Sequence, residues 1–161
     1  MAHKLSRYQA RGFQLISKMS ETGIKRCGIA AATTITRGNA ILDDGNGFVG
    51  DAGADIAATL KGIAAETVVN AGAAGAADVA YYPLFANNQY SVPCDTVLIA
   101  QTDIQELCDL GGDSGHINPA DAVATGIAFV IDDIDVSAEA LAANAFGFAI
   151  GHFEVGRVAQ T

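Results

Sequence analysis

The chain has 161 residues, half of them apolar, with 18 glycines and no tryptophan, which suits one domain with many tight turns. It has no apolar run near the roughly 20 residues of a membrane-spanning helix, no signal-peptide segment, and three cysteines without the spacing of a zinc site or a disulfide framework. The formal net charge of −9 is unevenly distributed, because the first 26 residues carry +5 and the remaining 135 carry −14. A body this acidic is not expected to bind nucleic acid or an anionic membrane.

The N-terminal segment, residues 1–24, is predicted to be an arm separate from the body. Its basic residues are spaced so that a helix would place them in one stripe, although Gly12 weakens that helix by about 1 kcal/mol relative to alanine. An arm that becomes ordered only on an acidic partner, including the body of another copy, fits this pattern, and so does a solvated tail. The basic residues of the stripe are Lys4, Arg7, Arg11 and Lys18.

The body, residues 25–161, is predicted to be an all-β domain, because short β-prone stretches alternate with glycine and asparagine. An Asn87-Asn88 pair is typical of a tight hairpin. The stretch 54–67 has helical spacing that Gly62 interrupts. The candidate strands lie within residues 25–35, 39–44, 78–92, 96–101, 126–136 and 146–158.

One short helix is predicted at residues 137–145, SAEALAANA, with Ser137 as N-cap and Glu139 in the first turn. In the stretch 146–151 bulky residues alternate with glycine and alanine, so one face of that strand should be flat. The predicted fold class is mainly β, with this one short helix and an extended or partly helical N-terminal arm.

The stretch GGDSGH, residues 111–116, begins like the loop that carries the nucleophile of chymotrypsin-like serine proteases. In those proteases the histidine base precedes the serine, but the only histidine before Ser114 is His3, because His116 and His152 follow it. Glycine, aspartate and serine also suit a tight turn. We therefore favour the turn.

The stretch GNGFVG, residues 45–50, matches the G-x-G-x-x-G pattern of dinucleotide-binding loops. Flanking aspartates would repel a pyrophosphate, and the chain lacks the repeated strand-helix alternation of a parallel sheet. A hairpin turn with Asp44-Gly45 or Asn46-Gly47 at its tip explains the same glycines and needs neither a parallel sheet nor a bound pyrophosphate. The alternative function is a nucleotide- or metal-binding enzyme that uses this loop.

Asp132, Asp133 and Asp135 form an acidic cluster of the kind that holds magnesium. On a regular strand Asp133 and Asp135 share one face and Asp132 lies on the other. His152 and Glu154 also share a strand face. A charged strand end and an exposed cross-strand pair explain these residues, so we expect no catalysis, no cofactor and no metal.

The order of segments carries a family resemblance. SRYQARGFQLI is followed by CGIAAATTITRGNAILDDGNGFV, LKGIAAETVVNAGAAGAADVAYYPL, NNQYSVPCDTVLIAQTDIQELCDL and a closing FGFAIGHFEV. From about Lys25 to Arg157 the chain resembles the small decoration, or cement, proteins that coat the heads of tailed bacteriophages. The shared pattern is a G-I-A strand, a glycine-rich loop and a final G-x-x-x-G-x-F strand.

The resemblance implies that the body is a compact β-barrel or β-sandwich. It also implies a non-catalytic virion protein on the capsid exterior, made in the host bacterial cytoplasm. It implies small homo-oligomers, often trimers, and an arm that ties neighbouring subunits of the major capsid protein together. Another virion component, such as a head-fibre base, is the alternative within the structural class. The predicted capsid contacts are Lys4, Arg7, Tyr8, Arg11, Phe13 and Lys18.

Overall fold

The computed structural model describes residues 11–18, 23–53, 60–84, 88–111, 113–122 and 127–155. Within these ranges the strands are β1 (Gln14–Lys18), β2 (Lys25–Gly28), β3 (Thr33–Ile35), β4 (Ala40–Asp43), β5 (Val49–Asp51), β6 (Leu60–Ala64), β7 (Val68–Asn70), β8 (Asp78–Pro83), β9 (Asn88–Pro93), β10 (Leu107–Leu110), β11 (Ile117–Ala122), β12 (Ile127–Asp135) and β13 (Phe148–Val155). The helix α1 spans Ala138–Ala143, and a 3₁₀ turn spans Gln101–Asp103. No helix of the described ranges has the length and apolar character needed to cross a membrane.

The strands form three antiparallel sheets. The larger sheet has six strands in the order β1-β9-β13-β12-β10-β11, the second has five in the order β2-β8-β6-β4-β5, and the third pairs β3 with β7. The predicted short helix is α1, in which Ser137 Oγ accepts a hydrogen bond from Ala140 N (3.3 Å) and Glu139 lies in the first turn. The prediction of a mainly β fold with one short helix is confirmed.

The main hydrophobic core lies between the larger sheet and the five-stranded sheet. Tyr90, Phe129 and Phe153 enter it from the larger sheet, and Ala40 and Ile63 enter it from the other. Alternation along their strands gives each of these two sheets one face for this core. The architecture is therefore a sandwich, one of the two predicted forms.

A smaller core covers the opposite face of the five-stranded sheet. Ile41 and Val79 point away from the main core and pack in a cluster with Ile35 and Val68 from the two-stranded sheet. The five-stranded sheet is thus covered on both faces, which explains the near-continuous burial along β6 and β8.

Strand β13 shows how its small residues are used. Ala149 and Gly151 face the main core, and a Cβ built on Gly151 would lie 2.9 Å from the ring of Phe129. Ile150 pairs with Ser91 on the outer face of the sheet. The predicted flat face is therefore the inner one, where it makes room for an aromatic ring.

Two local predictions are wrong, and the stretch with interrupted helical spacing, residues 54–67, is in part a strand. Of the predicted strand 96–101, residues 96–100 form a loop with Thr96 at φ +76°, and Gln101 begins the 3₁₀ turn. The Asn87-Asn88 pair is not the turn of a hairpin, because β8 and β9 belong to different sheets. In the stretch 54–67 the residues from 60 to 64 are strand β6 rather than helix, and residues 54–59 lie outside the described ranges. For β6 and β9 the pairing with other strands decides the structure.

Candidate interaction site

Phe13 joins the N-terminal segment to the main core. Its side chain is 4% exposed, and its ring centroid lies 6.0 Å from that of Tyr90, 5.6 Å from that of Phe129 and 5.2 Å from that of Phe153. Edge-on and tilted contacts of this kind stabilise aromatic clusters. The ring is thus enclosed by its own body, and its predicted contact with a capsid stays a prediction.

Backbone hydrogen bonds fix the residues beside this ring. Gly12 N donates to Gly115 O (2.8 Å), and Phe13 N donates to Gly38 O (2.7 Å). Gly12 and Gly38 both have positive φ, and a Cβ on Gly12 would lie 3.2 Å from the Cα of Gly38. Glycine permits both the conformation and the close approach of the two backbones. We call Arg11, Gly12 and Phe13 the root of the N-terminal segment.

The body begins before the predicted boundary between residues 24 and 25. Residues 14–18 form β1, an edge strand of the larger sheet, in which Gln14 lies opposite Ser91. This stretch of the predicted arm is therefore extended, and the body's own sheet orders it. Arg11 Nη2 lies 3.3 Å from Asp113 Oδ2 in a half-exposed ion pair. Outside the described ranges lie Lys4, Arg7 and Tyr8, and only the backbone of Lys18 is described.

The turn that ends at residue 116 confirms the interpretation of GGDSGH as a turn. Asp113 Oδ1 accepts a hydrogen bond from Gly115 N (2.7 Å) and lies 2.9 Å from His116 Nδ1. Burial alone would raise the pKa of Asp113, but His116, the Gly115 amide and Arg11 together lower it. Ser114 Oγ is fully buried and has no hydrogen-bond partner among the described residues, so it lacks both the access and the base of a nucleophile.

The loop GNGFVG belongs to the hairpin between β4 and β5, as favoured. Asp44 Oδ1 accepts hydrogen bonds from Asn46 N (2.8 Å) and Phe48 N (3.1 Å), and Asp44 N donates to Phe48 O (2.9 Å). Gly45 and Gly47 have φ of +84° and +88°. The dinucleotide interpretation of this loop is wrong, because it requires a helix after the glycines and β5 follows instead.

His152 lies between two carboxylates on the outer face of the larger sheet. Its Nδ1 is 2.8 Å from Asp132 Oδ2, and its Nε2 is 3.1 Å from Glu154 Oε1. Gln89 Nε2 donates to the same Asp132 oxygen (3.3 Å). Burial lowers the pKa of His152, but the two carboxylates outweigh burial and raise the pKa above its ordinary value. Among the described residues, no group of three or more His, Cys, Asp or Glu side chains is arranged to hold a metal ion.

A groove of about 490 Å³ lies beside this cluster on the outer face of the larger sheet. It runs across β1, β9, β13 and the end of β12. Among the described side chains its lining has two carboxylates and no basic group. We call it the acidic groove, and its polar lining residues are Gln14, Gln89, Ser91, Asp133 and Asp135.

Gln14, Gln89 and Ser91 were not predicted as site residues. A signal for two of them is present in the sequence, because alternation in NNQYSV places Gln89 and Ser91 opposite the apolar Tyr90 and Val92. The meeting of this strand with β1 and β13 depends on sheet order, which no local pattern specifies.

No protein-family model matches this sequence, and no curated protein matches it.

Proposed function

We propose that this chain is a structural virion protein that binds the outer face of an assembled phage capsid, across the joints between subunits, and stabilises it without catalysis. The observation that carries the proposal is the root of the N-terminal segment. There a basic segment joins an acidic β body and is fixed by two backbone hydrogen bonds and a buried ring. A segment anchored in this way transmits tension from its far end to the core, as an attachment arm must.

Charge supports attachment to an acidic surface. Residues 1–10 include Lys4 and Arg7 and no acidic residue. An exposed pair of opposite charges contributes only about 0.2–1 kcal/mol, but several arms in one oligomer on a shell of repeated subunits act together. We therefore propose a small homo-oligomer, by preference a trimer, whose arms contact the major capsid protein on the virion exterior.

Binding across joints stabilises a capsid by mass action. A protein that binds the assembled arrangement and not the separated subunits lowers the free energy of the assembled state alone. The stabilisation grows with the ratio of free protein to its dissociation constant, so it needs no chemical step.

Deletion of residues 2–10 tests the arm. Because the root and β1 remain, we expect the truncated protein to keep its free energy of unfolding within about 0.5 kcal/mol of the full chain. We expect it to stop co-sedimenting with capsids of its phage, whereas the full chain co-sediments and does so less as salt rises. Full capsid binding by the truncated protein would contradict the proposed arm.

Phe13→Ala provides the matched control, since it keeps the arm and damages the root. Loss of the ring from the aromatic cluster should lower the free energy of unfolding by about 3–5 kcal/mol. At temperatures where the variant is still folded, it should retain capsid binding. Together the two variants separate loss of attachment from loss of fold.

A further inference from the structure

Asn46 lies at the exposed tip of the hairpin between β4 and β5. It is the only asparagine in the chain that is followed by a glycine. Asn46 and Gly47 are both exposed, and a Cβ built on Gly47 would meet no atom within 4 Å. Because glycine has no side chain, the backbone nitrogen of Gly47 is open to the side-chain amide that precedes it.

The side chain of Asn46 differs from those of the other described asparagines, which are held by hydrogen bonds. Asn70 Nδ2 donates to three main-chain carbonyls at 2.9, 3.0 and 3.1 Å, and Asn144 Nδ2 donates to two at 2.8 and 2.9 Å. The Asn46 side chain makes no hydrogen bond with any described residue, so no such bond restrains its rotation. The asparagines with a hydrogen-bonded side chain are Asn39, Asn70, Asn88, Asn118 and Asn144.

We infer that Asn46 is a site of spontaneous deamidation, with water as the only co-reactant. The backbone nitrogen of Gly47 attacks Cγ of Asn46. An N–Cγ bond forms, the Cγ–Nδ2 bond breaks, and the former proton of the Gly47 amide leaves with the ammonia that is released. Water then opens the resulting succinimide ring at one of its two carbonyls. Opening at Cγ restores the normal chain and gives aspartate, whereas opening at the main-chain carbonyl gives isoaspartate.

The environment of the hairpin affects the rate of this step. Gly45 and Gly47 have positive φ and open surroundings, so the tip can change conformation without a collision. The pKa of Asp43 is lowered by the Gly45 amide first and by Lys61 next. The Gly47 amide also contributes to this lowering, so the Asp43 carboxylate opposes loss of the Gly47 proton. Hydroxide removes that proton, and the rate should therefore rise with pH.

Either product would alter the hairpin. Each converts a neutral side chain into a carboxylate and so adds one negative charge to the formal net charge of −9. Isoaspartate also inserts a methylene group into the backbone between the amides of residues 46 and 48, both of which donate to Asp44 Oδ1. The ring of Phe48 packs closely on Gly28 and Gly75, since a Cβ built on them would lie 3.0 and 2.8 Å from it. A displaced Phe48 would lose these contacts, so the isoaspartyl form should unfold at a lower denaturant concentration.

The test incubates the full-length protein under native conditions at mildly alkaline pH and follows its asparagines by peptide mapping and mass spectrometry. We expect Asn46 to convert to aspartate and isoaspartate at least about tenfold faster than any asparagine with a hydrogen-bonded side chain. The converted chain should migrate as a more acidic species on isoelectric focusing. The reaction is a property of the chain itself, so the result does not rest on the proposed function.

Asn46→Gln is the matched control, because glutamine keeps the amide but would have to close a larger and less favourable ring. This variant should form no acidic species over the time in which the wild type converts. An acidic species that forms equally fast in the variant would place the reaction at another residue and overturn the inference.

The same incubation in guanidinium chloride separates the effect of the fold from that of the sequence. In the unfolded chain the other asparagines lose the hydrogen bonds that hold them. We expect Asn46 to convert in both states, at rates within about tenfold of each other, because the tip is exposed in the folded protein. If Asn46 stays intact in the folded protein and converts only in the denaturant, the hairpin protects it and the inference is wrong.

Discussion

Strand β12 places both Asp132 and Asp133 on the outer face of the larger sheet because it does not alternate regularly. The register with β13 shifts between Ile131 and Asp133, so Asp133 lies opposite Ile150 while Asp132 also reaches the outer face. A bulge of this kind adds one residue to a strand and breaks the two-residue period. The period alone predicted that Asp132 and Asp133 lie on opposite faces. Asp132 was missed as a third partner of His152 because only the pairing of β12 with β13 brings the two side chains together.

The raised pKa of His152 predicts a pH-dependent stability. The fold favours the protonated imidazole, so its contribution is complete below pH 6.5, the ordinary pKa, and is lost as pH rises through the raised value. Because the side chain is about a third exposed, we expect about 1 kcal/mol or less. Urea unfolding at several pH values should show this loss in the wild type and not in His152→Gln. Parallel pH profiles of the two proteins would contradict the assignment.

Strand β13 requires glycine at position 151, and the neighbouring residues in the sequence do not show why. A side chain at Gly151 would collide with the carbonyl of Val130 and approach the ring of Phe129. The neighbouring strand cannot retreat without moving the main core, since Ile131 beside it is fully buried. The glycine is therefore required by packing between strands.

Gly151→Ala is expected to lower the free energy of unfolding by about 1–3 kcal/mol, the usual cost of overpacking. Gly50→Ala on edge strand β5 is the control, because a Cβ there meets no atom within 4 Å and the backbone is not in the left-handed region. That control should change stability by less than about 0.5 kcal/mol. Chemical denaturation of both variants measures the difference, and equal costs would contradict the packing argument.

The sequence predicted the elements whose structure depends on neighbouring residues in the chain. It did not predict those whose structure depends on pairing with distant strands. Helix α1 follows from its N-cap Ser137, and the hairpin after β4 follows from Asp44 and its glycines. Strand β1 lies in the segment 1–24, whose spacing of basic residues suggested a helix, and its pairing with β9 makes it extended. The sequence predicts a mainly β body, but the division into three sheets depends on contacts between residues far apart in the chain.

For the whole molecule, the charge distribution along the sequence and the fold reveal different candidate binding features. The segregation of basic residues at the N-terminus is visible in composition, and it motivates the proposed arm. The acidic groove is not visible there, because its lining comes from four strands that are distant in sequence. The structure also shortens the segment available to a partner, since the root and β1 belong to the body.

The proposed non-catalytic function predicts that small ligands leave the stability of the whole molecule unchanged. NAD, ATP, magnesium and calcium should produce no shift in thermal unfolding. A tight ligand at a hundredfold excess over its dissociation constant would stabilise the fold by about 2.7 kcal/mol, which is easily detected. A shift of that size with any of them would contradict a purely structural role. Truncation of residues 2–10 should not alter this result.

The root of the N-terminal segment also has a mechanical consequence. The hydrogen bonds between β1 and β9 are perpendicular to the strands, so a force applied along β1 loads them side by side and they must break together. The same force must extract the Phe13 ring from the main core and separate the Gly12 backbone from that of Gly38. The sheet therefore resists in shear a pull on the far end of the segment. The contact between the segment and its partner should break before the body unfolds.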